Sequence, residues 1–406
     1  MENANVKYLV GDVFTRMAEL PDATVDLILT SPPFLALRSY LPADHPDKNK
    51  EIGTEKTPSD FIDVLLKLTA EWRRLLTPHG SLCVELGDTF SGSGGHSGDS
   101  LGIGLLGAMP DGVFHNGPGW PLAKSLTLIP EAYRFALAYG SNPHTGQPSP
   151  AGQWRIRNVI RWVRPNPPVG VLGDKFRPAT SELVVACVSD RRWFDLDAVR
   201  EPSVDPYEAA RPRHERSTTG RQDLWDGGNG RFGIHPAGAP PLDWWKITPK
   251  GYAGAHYAVW PSELCVKPIK AMCPSEVCRE CGEPRRRITE RTPEYAAARE
   301  AIGGFNPRDD GQGSSGSRST LVKAAGRDIT SAENVTIGWS DCGHDNYRPG
   351  LVLDPFAGTG TTLAVAHGHG RDAIGIDIDE RSAELARERV GPLFLEVVGL
   401  ADGLRV

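Results

Sequence analysis

Short apolar runs and helical stripes take turns at both ends of this chain. Val6–Val10 is an apolar run ending at Gly11-Asp12, and residues 14–20 carry a helical pattern. A second apolar run, Val25–Thr30, is stopped by Ser31-Pro32-Pro33. Between residues 59 and 76, Phe61, Leu65, Leu68, Trp72 and Leu75 recur every three or four positions, an amphipathic helix opened by Pro58 or Ser59. The pattern then predicts a strand over 80–86, a helix over 129–139 and a buried-type strand over 182–188, after which Trp193-Phe194-Asp195 begins a return. Residues 154–163 mix arginine with apolar side chains and fit either an amphipathic helix or a strand. From Gly350 the alternation resumes: strand 351–353, helix 361–368, strand 373–376, helix 380–390. Alternation at both ends predicts an α/β fold with one parallel sheet assembled from the two ends of the chain.

Three stretches break the pattern. Residues 87–119 are glycine-rich and predict a long mobile loop; 303–320 are Gly/Ser-rich and predict a flexible segment. Residues 201–245 are polar, carry Arg211, Arg213, Arg216 and Arg221, and predict a loop-built insert. With 406 residues, 39% apolar and 24% charged, the chain suits one large α/β domain plus an accessory region, and wholesale disorder is excluded. No run approaches the length of a membrane-spanning helix, so no membrane partner is expected. No basic stretch followed by an apolar run opens the chain, so the expected location is the cytoplasm. The net charge of -6 excludes an all-over basic coat, so contact with nucleic acid requires a local patch.

Two motifs carry chemistry. Asp354-Pro355-Phe356-Ala357-Gly358-Thr359-Gly360-Thr361-Thr362 follows a short strand and opens a helix. Glycines there let backbone approach a ligand, and the helix start offers unpaired N–H groups. The strand that follows ends in Asp377, where a carboxylate can accept both ribose hydroxyls of a nucleoside. The third glycine of the dinucleotide fingerprint is missing, which disfavours a nicotinamide oxidoreductase. The second motif, Thr30-Ser31-Pro32-Pro33-Phe34, stands at the carboxyl end of a strand, where ligands bind in open α/β sheets. Two prolines stiffen the turn and remove two donors, leaving carbonyls, a hydroxyl and an aromatic face. That set suits an amino group held by acceptors, on a ring that stacks.

Together these motifs resemble the amino-group DNA methyltransferases that use S-adenosylmethionine. The catalytic-type motif precedes the cofactor-type motif, which is similar to the permuted β group, and Ser-Pro-Pro-Phe resembles the N4-cytosine enzymes. Gly11-Asp12 is similar to the strand-end acid that contacts the cofactor adenine. The blocks at 85–90, 160–167, 176–182, 194–195 and 256–261 also resemble family blocks. The resemblance implies a Rossmann-like, circularly permuted methyltransferase sheet. Ser31, Pro32, Pro33 and Phe34 would be catalytic. Asp12, Asp354, Pro355, Phe356, Gly358, Gly360, Thr361, Thr362 and Asp377 would bind the cofactor. It implies double-stranded DNA as partner, with a cognate restriction endonuclease as an accompanying one. The implied division is 1–200 for the first part of the catalytic domain, 201–255 for target recognition, 256–272 with 346–406 for the cofactor part, and 273–345 for a metal-binding insert. Two rivals stay open: the same fold acting on adenine N6, and a zinc-bearing DNA-binding protein with an inactive core.

Of seven cysteines, Cys273, Cys278 and Cys281 fall close together. Cys278-x2-Cys281-Gly282 has zinc-knuckle spacing, and Cys342-Gly343-His344 is its natural second pair, giving a structural zinc on three thiolates and an imidazole. Cys273 is the alternative to His344. Cys83, Cys187 and Cys265 read as packing residues. Arg211, Arg213, Arg216 and Arg221 are candidates for DNA contact, with a solvated charged loop as the competing reading. Arg285, Arg286 and Arg287 form a second basic patch with the same two readings.

Overall fold

A computed structural model describes residues 5–37, 39–92, 117–167, 174–201, 238–249, 260–291, 293, 334–391 and 394–399. Two compact units share the chain. One comprises Met1–Phe194, Leu242–Pro284 and His344–Val406; the other comprises Asp195–Pro241 and Arg285–Gly343.

In the first unit the order begins β1 (Val6–Val10), α1 (Val13–Ala18), β2 (Val25–Thr30), α2 (Pro58–Leu75), β3 (Leu76–Leu86), α3 (Ile129–Tyr139), β4 (Arg155–Val163), β5 (Thr180–Cys187) and β6 (Trp244–Lys246). It continues with α4 (Ser262–Met272) and β7 (Val277–Cys278). The second unit carries β8 (Arg287–Arg291) and β9 (Asn334–Trp339), and the first resumes with β10 (Tyr347–Arg348), β11 (Leu351–Asp354), α5 (Thr361–Gly368), β12 (Asp372–Asp377), α6 (Glu380–Val390) and β13 (Leu395–Val398).

Nine strands form one sheet in the order β13-β1-β12-β11-β2-β3-β5-β4-β6. From β13 to β3 every pairing is parallel, as expected from strand-helix alternation at both ends. The expectation of a wholly parallel sheet fails beyond β3, because β5 runs antiparallel to both β3 and β4. The route explains this. The chain crosses from β3 through α3 to β4, leaving a gap one strand wide. It then returns from β4 to β5 with no crossover helix among the described residues, and a direct return gives antiparallel pairing. The undecided stretch 154–163 is a strand. A register shift between Ile156 and Asn158 interrupts its alternation, which is why no single period was readable.

All six residues of β2 are buried, as a strand covered on both faces requires. On one face α2 lays Phe61, Leu65, Leu68 and Trp72 into the core with Leu9, Ile28, Leu82 and Val184. Thr57 caps α2 by accepting from Asp60 N, and Pro58 occupies the first turn, where its missing N–H costs nothing. On the other face α4, which the apolar pattern did not reveal, packs against α5 and β2. An internal Pro268 disguises it in the sequence.

One buried acid ties four strands together. Asp26 of β2 bonds His79 Nε2 at 2.8 Å and accepts from Arg348 at 2.7 Å and from Leu351 N at 2.8 Å. Burial pushes its carboxyl up, but His79 and Arg348 outweigh that and hold it below the usual aspartate value.

In the second unit β8 and β9 pair antiparallel. Arg287 makes a two-pronged bond to Asp195 at 3.0 and 2.7 Å and lies over the Trp339 ring. Residues 93–116 of the loop expected at 87–119, the segment expected at 303–320, and Arg211, Arg213, Arg216 and Arg221 lie outside the described residues. Among the described residues no helix is long and apolar enough to cross a membrane.

Candidate functional site

The carboxyl ends of β1, β2, β3, β11 and β12 open onto one cavity of about 510 Å³, lined by Asp12, the Ser31–Phe34 turn, Gly87, Pro355, Phe356, Gly358, Thr361 and Asp377. The two motifs stand some 320 residues apart in the chain, yet β2 and β11 are neighbours in the sheet. Trp162, Arg164, Thr180 and Trp260 continue the lining.

Asp354 is the joint between the motifs. Fully buried, it accepts from Thr30 Oγ1 at 2.7 Å, from Thr362 Oγ1 at 2.6 Å and from Phe356 N at 3.2 Å. Burial pushes its carboxyl up to about 6 against these bonds. Asp354, Gly360 and Thr362, all expected at the cofactor, do not line the cavity. Gly360 turns with φ +72°, and a Cβ there would stand 2.9 Å from Ala386 Cβ, so the turn needs glycine.

Asp377 does line the cavity. Its two oxygens accept Gly358 N at 2.8 Å and Asp379 N at 2.9 Å. Burial pushes it up to about 7, with Asp379 and Asp354 adding to the rise and the two N–H bonds opposing it. A carboxylate has about four acceptor positions, so two remain for a ligand's hydroxyls. Tyr8, unnoticed in the sequence, buries its ring and donates to Gly358 O at 2.7 Å, pinning the same turn. Asp12 caps α1, with Oδ1 accepting Thr15 N and Oγ1 at 2.9 Å each.

Around the second motif the structure adds two residues that the sequence did not single out. Ser31 Oγ donates to Glu85 Oε2 at 2.6 Å. Glu85 ends near the tip of β3, and burial raises its carboxyl, with bonds from Ser181 and Ser31 and the charge of Arg164 pulling it back. Gly87 makes room for Phe34: a Cβ there would come within 2.5 Å of the ring. Both sit in the family-like block 85–90, at the end of the strand beside the one that carries the Ser31 turn. That position was the available signal.

The antiparallel pair of β7 and β10 sets Cys278 opposite Tyr347. Beside it, the ligand atoms of Cys278, Cys281 and His344 lie within 4.8 Å of one another, and Cys278 Sγ stands 3.4 Å from His344 Nδ1. Cys342 stands two positions before His344 in the chain. Cys273, the alternative ligand, is instead fully buried, with its thiol raised by burial and packed against Gly350. Cys83, Cys187 and Cys265 are buried, as expected of packing residues.

The family model N6_N4_Mtase, described as DNA methylase, matches residues 25–276 and 347–388. The chain is 29% identical to the type II methyltransferase M.SfiI of Streptomyces fimbriatus over 209 residues, 52% of this chain and 42% of that protein. It is 23% identical to the type II methyltransferase M.SmaI of Serratia marcescens over 393 residues, 95% of this chain and 90% of that protein. Among solved structures, the PvuII DNA methyltransferase (cytosine-N4-specific) aligns with a TM-score of 0.46 at 12% identity, over 95% of this chain and 86% of that one.

Proposed function

Because this chain belongs to the N6/N4 DNA methylase family, we propose that it transfers a methyl group from S-adenosylmethionine to the exocyclic N4 of a cytosine flipped out of double-stranded DNA. The observation that carries this reading is the Ser31–Glu85 bond beside a Pro-Pro turn, in the same cavity as Asp377.

S-adenosylmethionine supplies an already activated methyl group on a sulfonium. The cavity suits it: Asp12, Asp377 and Asp379 make one end acidic, matching a cation and a hydroxylated ribose. Asp377 holds the ribose and Asp12 the adenine amino group, while Pro355, Phe356 and Gly358 pack the methionine part. The N-terminus of α5, at Thr361, faces the methionine carboxylate.

Cytosine N4 is a poor nucleophile because its lone pair is spread into the ring. Ser31 gives its own hydrogen to Glu85, so the Oγ lone pairs are available to one amino hydrogen. The Pro32 carbonyl accepts the other. Holding both hydrogens turns the nitrogen lone pair toward the methyl group, and positioning supplies most of the rate. After transfer the nitrogen carries an extra proton, which passes to Ser31 Oγ as the Ser31 proton moves to Glu85. The raised Glu85 carboxyl makes that relay favourable. Phe34 stacks on the base. A base in a duplex cannot reach this turn, so flipping is required.

The proposal extends to a structural zinc on Cys278, Cys281, Cys342 and His344. Two thiols and an imidazole, those of Cys278, Cys281 and His344, lie within metal-binding reach, and with Cys342 as fourth ligand they would make a closed tetrahedral site that holds its segment and takes no part in transfer. DNA is also met through Arg211, Arg213, Arg216 and Arg221, and the chain works beside a cognate restriction endonuclease. Incubating the purified chain with methyl-labelled S-adenosylmethionine and duplex DNA tests the core of this. Label enters DNA with wild-type protein and falls at least tenfold with Ser31→Ala. Equal labelling by both would remove Ser31 from the chemistry.

A further inference from the structure

Across the cavity from the cofactor turn lies a charged side chain that the methyl-transfer step does not use. Arg164 follows β4, its backbone N–H donates to Ala179 O at 2.8 Å, it lines the cavity with Trp162, and its guanidinium carbon lies 5.1 Å from the Trp162 ring centroid. It is linked to the catalytic turn by a line of polar groups on one face of the sheet. Ser31 donates to Glu85, Ser181 also bonds Glu85, and Ser181 Oγ accepts from Arg164 Nη1 at 3.5 Å. Arg164 makes no ion pair within 4 Å among the described residues, although the Glu85 charge faces it. A half-buried guanidinium in an aromatic wall with no ion-pair partner has donors to give to a ligand.

The cavity therefore offers acceptors at one end, Ser31 Oγ and Pro32 O, and a donor-only group at the other. Cytosine presents the complementary edge: an amino group at C4, then the acceptors N3 and O2. Adenine presents an amino group and N1, followed by a C–H where cytosine has O2. A guanidinium opposite that C–H would be left unpaired in a desolvated site, which is a strong basis for rejection. Resting on the methyl-transfer reading above, we infer that Arg164 is the residue that selects cytosine, donating to the O2 edge of the flipped base while Ser31 and Pro32 hold its amino group.

The test uses the full chain, labelled S-adenosylmethionine, and two DNAs of the same sequence, one copied with 2-thiocytosine so that O2 is replaced by a weak acceptor. Wild-type protein is expected to methylate the thio-substituted DNA about tenfold more slowly than ordinary DNA. Arg164→Gln is expected to lose about 10- to 100-fold on ordinary DNA and to treat the two DNAs alike. Its S-adenosylmethionine affinity should match wild type, which serves as the folding control. Arg164→Lys, with its charge kept, covers the case in which the Gln variant does not fold, and is expected to retain part of the discrimination. A variant that methylates ordinary DNA at the wild-type rate, or one that keeps the full wild-type preference between the two DNAs, overturns the assignment. Wild-type product identified as N6-methyladenine would instead overturn the N4-cytosine reading, before any variant is compared.

Discussion

A hydroxyl becomes a good acceptor when its own hydrogen is already committed, and Ser31 commits its hydrogen to Glu85. Ser31→Ala should leave cofactor affinity near normal and cut turnover by about 10²-fold, the usual effect of one positioned hydrogen bond. Glu85→Gln should slow transfer too, and change its pH dependence. The relay needs Glu85 ionised, and burial lifts its carboxyl above the ordinary value. Turnover should therefore fall on the acid side at a higher pH than an exposed glutamate would give, and a kcat–pH profile of the Gln variant should lack that limb. Gly87→Ala should push the Phe34 ring from its seat, since the new Cβ would stand 2.5 Å from it. The expected outcome is lower turnover with S-adenosylmethionine affinity unchanged, measurable by calorimetry beside a rate assay. Ser31 and Phe34 were legible in the sequence because they are consecutive in one turn. Glu85 was not, because its partner is 54 residues away and only the β2–β3 pairing brings them together.

At the scale of elements, acids placed at the two ends of the strands are shifted in opposite directions. Asp26 joins β2, β3, β10 and β11, and its folded value lies below the ordinary one. It therefore contributes stability above the unfolded aspartate value, and that stability is lost as pH falls through the folded value. Asp26→Ala should cost about 3–5 kcal/mol at neutral pH by leaving Arg348 and His79 without their partner. In urea titrations the gap between variant and wild type should close as pH drops below the ordinary aspartate range. Asp377 behaves the other way, raised to about 7 at the carboxyl ends. As the proposed acceptor of ribose hydroxyls it would act best when ionised, so cofactor affinity should rise as pH increases through about 7. Asp377→Asn should weaken binding by about 1.5–3 kcal/mol and flatten that rise. The strands and helices that carry these acids were legible from local periodicity. The sense of β5 was not, because it depends on how the chain returns from β4, and α4 was hidden by Pro268.

For the whole molecule, the sheet and the metal cluster make separate demands. The sheet is held by its own core, with α2 and α4 on opposite faces, whereas Cys278, Cys281 and His344 gather beside the short antiparallel pair β7–β10. Protein purified without added metal should contain about one zinc per chain. Cys278→Ser should lower that content and increase protease cutting between residues 282 and 341, with cofactor affinity largely kept. Unchanged cutting in zinc-free protein would remove the metal from the account. The cluster was legible because its spacing is local at both ends of a long insertion. The wall that Trp162 and Arg164 add to the cavity was not, since they meet Ser31 only after the four strands β2, β3, β5 and β4 have paired. The most direct measurement of the central claim is mass spectrometry of nucleosides from DNA of a methylation-free host expressing the chain. N4-methyldeoxycytidine is expected in that digest, at a clearly lower level when Ser31→Ala is expressed in place of the wild type; N6-methyldeoxyadenosine, or no modified base at all from the wild type, would contradict it.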